Sequence, residues 1–299
     1  MIELTEVKKS FEDIKVLNNV SLTVRKGSIY GLLGSNGAGK TTLLKTIAGI
    51  YRQNSGSIHI NNEEVFENVA LKKSIIFLPD IPYFFAQSTI KQLAQFYKNM
   101  YPTWNEERFQ QLKQAFPIDL KKKVHRMSKG MQRQVAFWLA LSTMPDILIL
   151  DEPLDGLDAV MRQKIKNLLV QDVAEREMTI LISSHNLREV EDLCDHVGIL
   201  HQGQLLIEKD LDDLKSDIHK IQVAFKGDVP LAFHEDLEIL YEEKRGSVLL
   251  CIVRGKEKKL ASRIQSYKPL VFDILPLTLE EIFIYEMGDV GYAIENIIV

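Results

Sequence analysis

Gly34-Ser35-Asn36-Gly37-Ala38-Gly39-Lys40-Thr41 is the stretch that decides the fold. It fits the P-loop pattern in full, with glycines at the first and sixth positions followed by Lys and Thr. An alternating stretch, Ser28 to Leu33, precedes it and a helical one, Thr42 to Ala48, follows, which is the strand–loop–helix order the pattern needs. The glycines let the backbone wind tightly with its N–H groups turned inward, and the helix N-terminus adds positive potential. Lys40 then reaches the β- and γ-phosphates of a nucleotide, and the Thr41 hydroxyl can ligate Mg²⁺. A fortuitous glycine turn is the competing reading, and the strand before and helix after argue against it.

Hydrolysis needs more than a phosphate cradle. Ile147-Leu148-Ile149-Leu150 is an apolar strand that ends in Asp151-Glu152. The first carboxylate can orient the hydration shell of Mg²⁺, and the second can take a proton from an attacking water. Two further apolar runs also end in polar residues: Asp80 follows Ile75 to Leu78, and His185 follows Ile180 to Ser184. In a parallel sheet the ligand crevice lies outside the carboxyl ends of the strands, so Lys40, Asp80, Asp151, Glu152 and His185 are expected to converge there. Thr41, Asp80 and Asp151 are the candidate Mg²⁺ ligands. Glu152, His185 and Lys40 are the candidate catalytic residues, with His185 expected to contact the γ-phosphate.

Outward from this core, Ile2 to Val7, Val20 to Val24 and Ser57 to Ile60 alternate as short strands, the early pair expected to join near Asn18-Asn19. From 70 to 215 buried strands alternate with helical stretches, the pattern of βα units. The stretch of about 83–141 reads as a helical lobe. Val197 to Leu200, a turn at His201-Gln202-Gly203, and Gln204 to Ile207 read as a hairpin. After Lys215 the texture changes: Ile221 to Phe225, Ser247 to Val253 and Leu270 to Leu275 are strand-like, Lys256 to Tyr267 is helix-like, and Thr278-Leu279-Glu280-Glu281 is a capping box opening a last helix. The expected organisation is therefore an α/β nucleotide-binding domain over 1–215 and a small α+β domain over 216–299.

Composition excludes several classes. A net charge of -4 gives no electrostatic footprint for nucleic acid, and Lys121 to Lys123 reads as a solvated face. The two cysteines, Cys194 and Cys251, have neither metal-ligand spacing nor a disulfide framework, which suits a reducing compartment. No run approaches the ~18 to 20 apolar residues that span a bilayer. The chain is expected to be soluble by itself, with any membrane role supplied by a partner.

Residues 2 to about 215 resemble the ABC ATPases. Met127-Ser128-Lys129-Gly130-Met131-Gln132 stands where that family's LSGGQ-type signature belongs, Leu154-Asp155-Gly156-Leu157-Asp158 matches its D-loop, and His185 its switch histidine. Three positions depart from the pattern. Asp80 stands where a glutamine is usual and adds a negative charge beside the phosphates, Lys129 replaces a signature glycine, and Met131 replaces the signature glutamine. The Ser-Lys-Gly-Met form is similar to the variant in bacterial drug, bacteriocin and peptide exporters. Pro276 to Tyr285 looks like the closing segment of exporter-type ATPases of Gram-positive bacteria, including the phenol-soluble modulin exporter.

The resemblance implies a P-loop NTPase fold of the ABC ATPase type, with an antiparallel β subdomain, a parallel-sheet core and a helical subdomain, plus the small C-terminal domain. It implies ATP and Mg²⁺ as ligands, with Ser35, Asn36, Gly37, Ala38, Gly39, Lys40, Thr41 and Thr42 around the phosphates and Phe11 and Val16 in the nucleotide set. By sequence alone Phe11 is either the aromatic that stacks on adenine or a core residue. Ser128 and Gly130 would face the γ-phosphate bound by a second ATP-binding subunit, identical or different, and a membrane-spanning subunit would place the chain at the cytoplasmic face of the membrane. That subunit would dock near Asp80, where Ile81-Pro82-Tyr83-Phe84-Phe85 offers aromatics, unless Phe84 and Phe85 pack inside the lobe. Ribosomal or chromosomal ABC proteins need a second cassette or a long coiled coil, and this sequence has neither. A module that binds ATP without turnover is disfavoured because the Glu152 and His185 positions are filled.

Overall fold

The structure is a computed structural model that describes residues 1–289. It divides into two compact units, Met1–Glu208 and Lys209–Val299, a boundary somewhat earlier than the change of texture at Lys215.

The first unit opens with β1 (Ile2–Phe11) and β2 (Ile14–Val24), antiparallel, with Ile2 opposite Val24 and Phe11 opposite Ile14. The reversal is at Glu12-Asp13. Asn18-Asn19, expected at the turn, lie inside β2: Val7 pairs with Val20 and Lys9 with Leu17, so Lys8 alone faces both asparagines. Asn19 takes φ 60°, a left-handed value that Asn tolerates, and the pair makes a bulge in place of a turn.

Next come β3 (Ile29–Leu33), α1 (Lys40–Ile47), β4 (Ser55–Ile60), β5 (Glu63–Glu64), α2 (Val69–Lys72) and β6 (Ile75–Leu78). The helical lobe holds α3 (Ile90–Met100), α4 (Glu106–Ala115) and α5 (Lys129–Ser142). The unit closes with β7 (Ile147–Asp151), α6 (Ala159–Arg176), β8 (Thr179–Ser184), α7 (Leu187–Glu191), β9 (His196–His201) and β10 (Gln204–Asp210). One sheet runs β2-β1-β4-β5, and the other runs β10-β9-β3-β8-β7-β6. In the second, β9, β3, β8, β7 and β6 are parallel, and every residue of β3, β7 and β8 is buried, as strands covered on both faces require. The alternating strands of the first sheet send Ile2, Leu4, Val7, Leu22 and Val24 into a core shared with Leu43, Leu44 and Ile47 of α1.

Two local signals shape the lobe. Thr89 and Gln92 form a capping box at the start of α3. In α5 the run Val135 to Ser142 is buried throughout, centred on Trp138, whose ring stacks 4.8 Å from Phe109 and whose Nε1 donates to the Phe109 carbonyl at 2.8 Å.

The second unit begins with α8 (Leu211–Asp217) and continues β11 (Ile218–Ala224), α9 (Leu231–Asp236), β12 (Glu238–Arg245), β13 (Val248–Arg254), α10 (Glu257–Ser266), β14 (Val271–Leu275) and α11 (Leu279–Asp289). Its antiparallel sheet has the order β12-β13-β11-β14. From β11 to β14 this is the ferredoxin-like β-α-β-β-α-β arrangement. Ile221, Val223, Cys251 and Val253 pack on one face with Phe233, Leu260 and Ile264. On the other face Lys220 pairs with Glu281 of α11 at 2.6 Å, and the Tyr241 ring meets Tyr285 at 5.4 Å. The Thr278–Glu281 capping box forms as the sequence predicts, with Glu281 N donating to Thr278 Oγ1 at 3.2 Å and Thr278 N to Glu281 Oε2 at 3.0 Å. Among the described residues no helix is long and apolar enough to cross a membrane.

Candidate active site

The parallel register brings the strand ends together. Leu33 lies opposite Ser184, Asp151 opposite Ser183 and Leu78 opposite Leu150, so β3, β8, β7 and β6 release their next residues along one edge. From Leu33 the chain winds through the glycine loop into α1. Gly39, at φ 107°, is the N-cap of that helix, and a Cβ at Gly34 would sit 2.3 Å from the Leu200 carbonyl oxygen. The loop therefore requires glycine on backbone grounds, and its N–H groups and the free N–H groups of the first turn of α1 form a cradle suited to phosphate. Ser35, Asn36 and Gly37 are exposed along it, Ala38 is buried beneath, and Thr42 is half-buried behind.

Lys40 is buried and its Nζ meets three oxygens: it donates to Gly34 O at 2.6 Å and Ser35 O at 3.4 Å, and lies 3.4 Å from Glu152 Oε1. Thr41 Oγ1 donates to Asp151 Oδ2 at 2.8 Å, and Ser183 Oγ fixes the other Asp151 oxygen at 2.7 Å. A hydroxyl and a buried carboxylate, both oxygen donors held in one orientation, fit Mg²⁺, a hard cation that keeps several waters.

Glu152 takes φ 45°, a left-handed conformation that costs a non-glycine residue ~1–3 kcal/mol and persists only where neighbours enforce it. Its N–H donates to Ser183 O at 3.2 Å and Ser183 Oγ at 3.1 Å. Its Oε2 accepts from His185 N at 3.2 Å and lies 2.9 Å from His185 Nδ1. At 2.9 Å the ring nitrogen and the carboxylate oxygen are within hydrogen-bond distance, so the two side chains orient one another. Asp155 joins the group, with ligand-type atoms of Glu152, Asp155 and His185 within 4.8 Å of one another.

The Asp80 carboxylate is engaged by a different partner, Arg133. The sequence places Asp80 with Thr41 and Asp151, whereas its carboxylate, 52% exposed, accepts from Arg133 at 2.8 Å. Arg133 and Ser183 are the two residues that motif reading misses. Ser183 is a small polar residue inside an apolar strand, with no motif to mark it. Arg133 shares a helix face with Ala136 and Ala140, and a cation on a buried face demands partners, a signal the signature motif overshadows.

Ser128 is exposed and caps α5, its Oγ accepting from Met131 N at 3.3 Å. Gly130 runs close to the D-loop: a Cβ there would meet the Gly156 carbonyl oxygen at 2.8 Å. The Val16 carbonyl oxygen sits 3.0 Å from where a Gly39 Cβ would be, so Val16 borders the loop. Phe11 is 39% exposed and meets Tyr51 edge-on at 5.2 Å with Lys9 Nζ 4.8 Å from its ring, which removes the core reading. Ile81, Tyr83 and Phe85 are exposed, Tyr83 at 84%, and Phe84 is half-buried. A separate pocket of about 760 Å³ in the helical lobe is lined by residues of α3, α4 and the chain that follows, Trp104 and Phe109 among them.

Comparison with known proteins agrees with this geometry. The ABC transporter family profile matches residues 17–155. The chain is 37% identical to the ABC transporter ATP-binding protein YtrB of Bacillus subtilis, over 96% of this chain and 98% of YtrB. It is 35% identical to the bacitracin transport ATP-binding protein BcrA of Bacillus licheniformis, over 94% of each. Among solved structures, the ATP-binding subunit of an ABC transporter superposes with a TM-score of 0.67 at 26% identity, over 72% of this chain and 92% of the other. With a P-loop, an acidic strand end and a histidine on one sheet edge, and relatives matched along nearly their whole length, the chain belongs to the ATP-binding subunits of ABC transporters and is an ATPase.

Proposed function

We propose that the chain binds ATP with Mg²⁺ at the P-loop, hydrolyses it with Glu152 as general base, and powers export through a separate membrane-spanning subunit at the cytoplasmic face of the membrane. The observation that carries this reading is the run Lys40–Glu152–His185, with contacts of 3.4 and 2.9 Å beside the Thr41–Asp151 pair. Lys40 presents its ammonium to the β- and γ-phosphate oxygens. Glu152 accepts the proton of the attacking water as the water oxygen bonds to the γ-phosphorus and the bond to the ADP oxygen breaks. His185, oriented by the Glu152 carboxylate through Nδ1, turns its other nitrogen to the γ-phosphate. Thr41 and Asp151 would hold Mg²⁺, which would supply neutralisation of the phosphate charge, with Asp80 the third candidate ligand. Phe11 stacks on the adenine, and Ser128 and Gly130 complete the site of a second ATP-binding subunit.

The name of the bacitracin relative supports a drug, antibiotic or peptide as cargo. The exposed Ile81, Tyr83 and Phe85 suit anchoring of the membrane subunit, since exposed aromatics are common binding anchors. Glu152→Gln in the purified chain tests the reading: ATP affinity is retained while phosphate release falls by roughly 10² to 10⁴-fold. Unchanged release would remove Glu152 from the base role and favour a module that binds ATP without turnover.

A further inference from the structure

Arg133 lies one turn into α5 and is 9% exposed. Its guanidinium reaches three separate pieces of chain. Nη1 donates to the carbonyls of Glu152, at 2.9 Å, and of Asp155, while Nη2 donates to the Asp80 carbonyl and, at 2.8 Å, to the Asp80 carboxylate. These acceptors lie just after β7, in the D-loop, and just after β6. A buried cation needs its charge balanced and its N–H groups accepted, and in this set Asp80 supplies the charge. A planar fork of donors can serve three carbonyls and a carboxylate at once, which a lysine ammonium at the end of a flexible stem cannot.

The consequence falls on Glu152. Its peptide N–H is held by Ser183 and its carbonyl by Arg133, so both sides of a residue at φ 45° are pinned, and with them the direction in which the carboxylate leaves the backbone. We propose that Arg133 is a positioning residue for hydrolysis, holding Glu152 in its left-handed conformation, with Asp80 serving as the counter-charge of that hold. Because Ser128 caps α5, a displacement of that helix end reaches the Glu152 carbonyl within about one helical turn. The proposal rests on the reading of Glu152 as general base.

The test is a double-mutant cycle in the full chain with Arg133→Lys, Glu152→Gln and the pair, reading kcat, KM, ATP affinity and melting temperature. Arg133→Lys is expected to lower kcat by about 10²-fold, the scale of a misplacement of about 1 Å, with ATP affinity changed less than about threefold. In the Glu152→Gln background the same change is expected to cost less than about twofold, because the group it positions has lost its function. Parental kcat in Arg133→Lys while Glu152→Gln is impaired, or losses that multiply in the pair, would overturn the positioning role alone. Full turnover in Glu152→Gln would overturn the base reading itself, whatever Arg133→Lys does. Should Arg133→Lys fail to melt cooperatively, Arg133→Gln replaces it, and failure of both would show that the cation serves the fold and not the reaction.

Discussion

Glu189, just beyond His185, is a buried carboxylate whose surroundings only partly compensate it. Ser184 Oγ donates to it at 3.2 Å, and Arg162 lies 3.6 Å away on the solvent side. Burial is the largest influence and raises its carboxyl above the ordinary value, with Arg162 and Ser184 opposing. A folded-state value raised above the unfolded one means that the native fold favours the protonated form. That contribution is complete below the unfolded value of 4.5 and is lost as pH rises through the folded value. Glu189→Gln, which mimics the protonated acid, is therefore expected to melt higher than the parent at pH 7.5, with the gap closing as pH approaches 4.5. Each kcal/mol is worth about 2–4 °C for a unit of this size, and a gap that widens toward low pH would reverse the sign of the argument. At this scale Lys40, Thr41, Asp151, Glu152 and His185 were legible because each stands at a fixed offset from a strand end, and the structure brings them together. Arg133 was not, because its partners Asp80, Glu152 and Asp155 are distant in sequence and three of its four contacts are backbone carbonyls, which no residue identity announces.

Elements came through where periodicity was strong. The wholly buried β7 and β8 and the apolar run of α5 need no tertiary information to recognise. Three elements of the second unit escaped: β12, whose residues Glu238-Ile239-Leu240-Tyr241-Glu242-Glu243-Lys244-Arg245 carry too much charge to alternate cleanly, and the short helices α8 and α9, of seven and six residues. Charge on β12 suits its place as an edge strand, where it discourages pairing with other chains. The start of α5 poses a sharper question, since Ser128 is a helix cap within this chain and is proposed as a γ-phosphate contact for another. Loss of the cap alone costs about 0.5–2 kcal/mol. Ser128→Arg is thus expected to lower the melting temperature modestly and leave ATP binding to the isolated chain nearly intact, because the Ser128 hydroxyl is engaged by Met131 N within its own helix. It should nevertheless abolish ATP-induced association and turnover, since a bulky cation would replace a small hydroxyl at the shared site. Solution mass in the Glu152→Gln background, with ATP present, reads the outcome: association that survives Ser128→Arg would leave the serine as a cap and nothing more.

At the scale of the whole molecule, the two units have separate cores, and each contains one buried thiol. Cys194 follows α7 and packs against β3, where a Cβ on Gly31 would lie 3.0 Å from its Sγ. Cys251 sits in β13 among Ile221, Val223 and Val253. Burial raises both thiols well above the ordinary range, Cys251 to about 12, so at pH 8 neither presents appreciable thiolate in the folded state. Alkylation of each cysteine then reports the opening of its own unit, which makes the two residues independent gauges of stability. ATP with Mg²⁺ binds, on the reading above, through Lys40, Thr41 and Asp151, all within Met1–Glu208. A ligand at one hundred times its Kd stabilises the folded form that binds it by about 2.7 kcal/mol. In urea titrations read by mass spectrometry of alkylated peptides, ATP with Mg²⁺ is expected to move the Cys194 midpoint upward and leave that of Cys251 where it was. Equal shifts at both thiols would show that the chain opens as one cooperative body, and that the division into two cores does not carry over into its energetics.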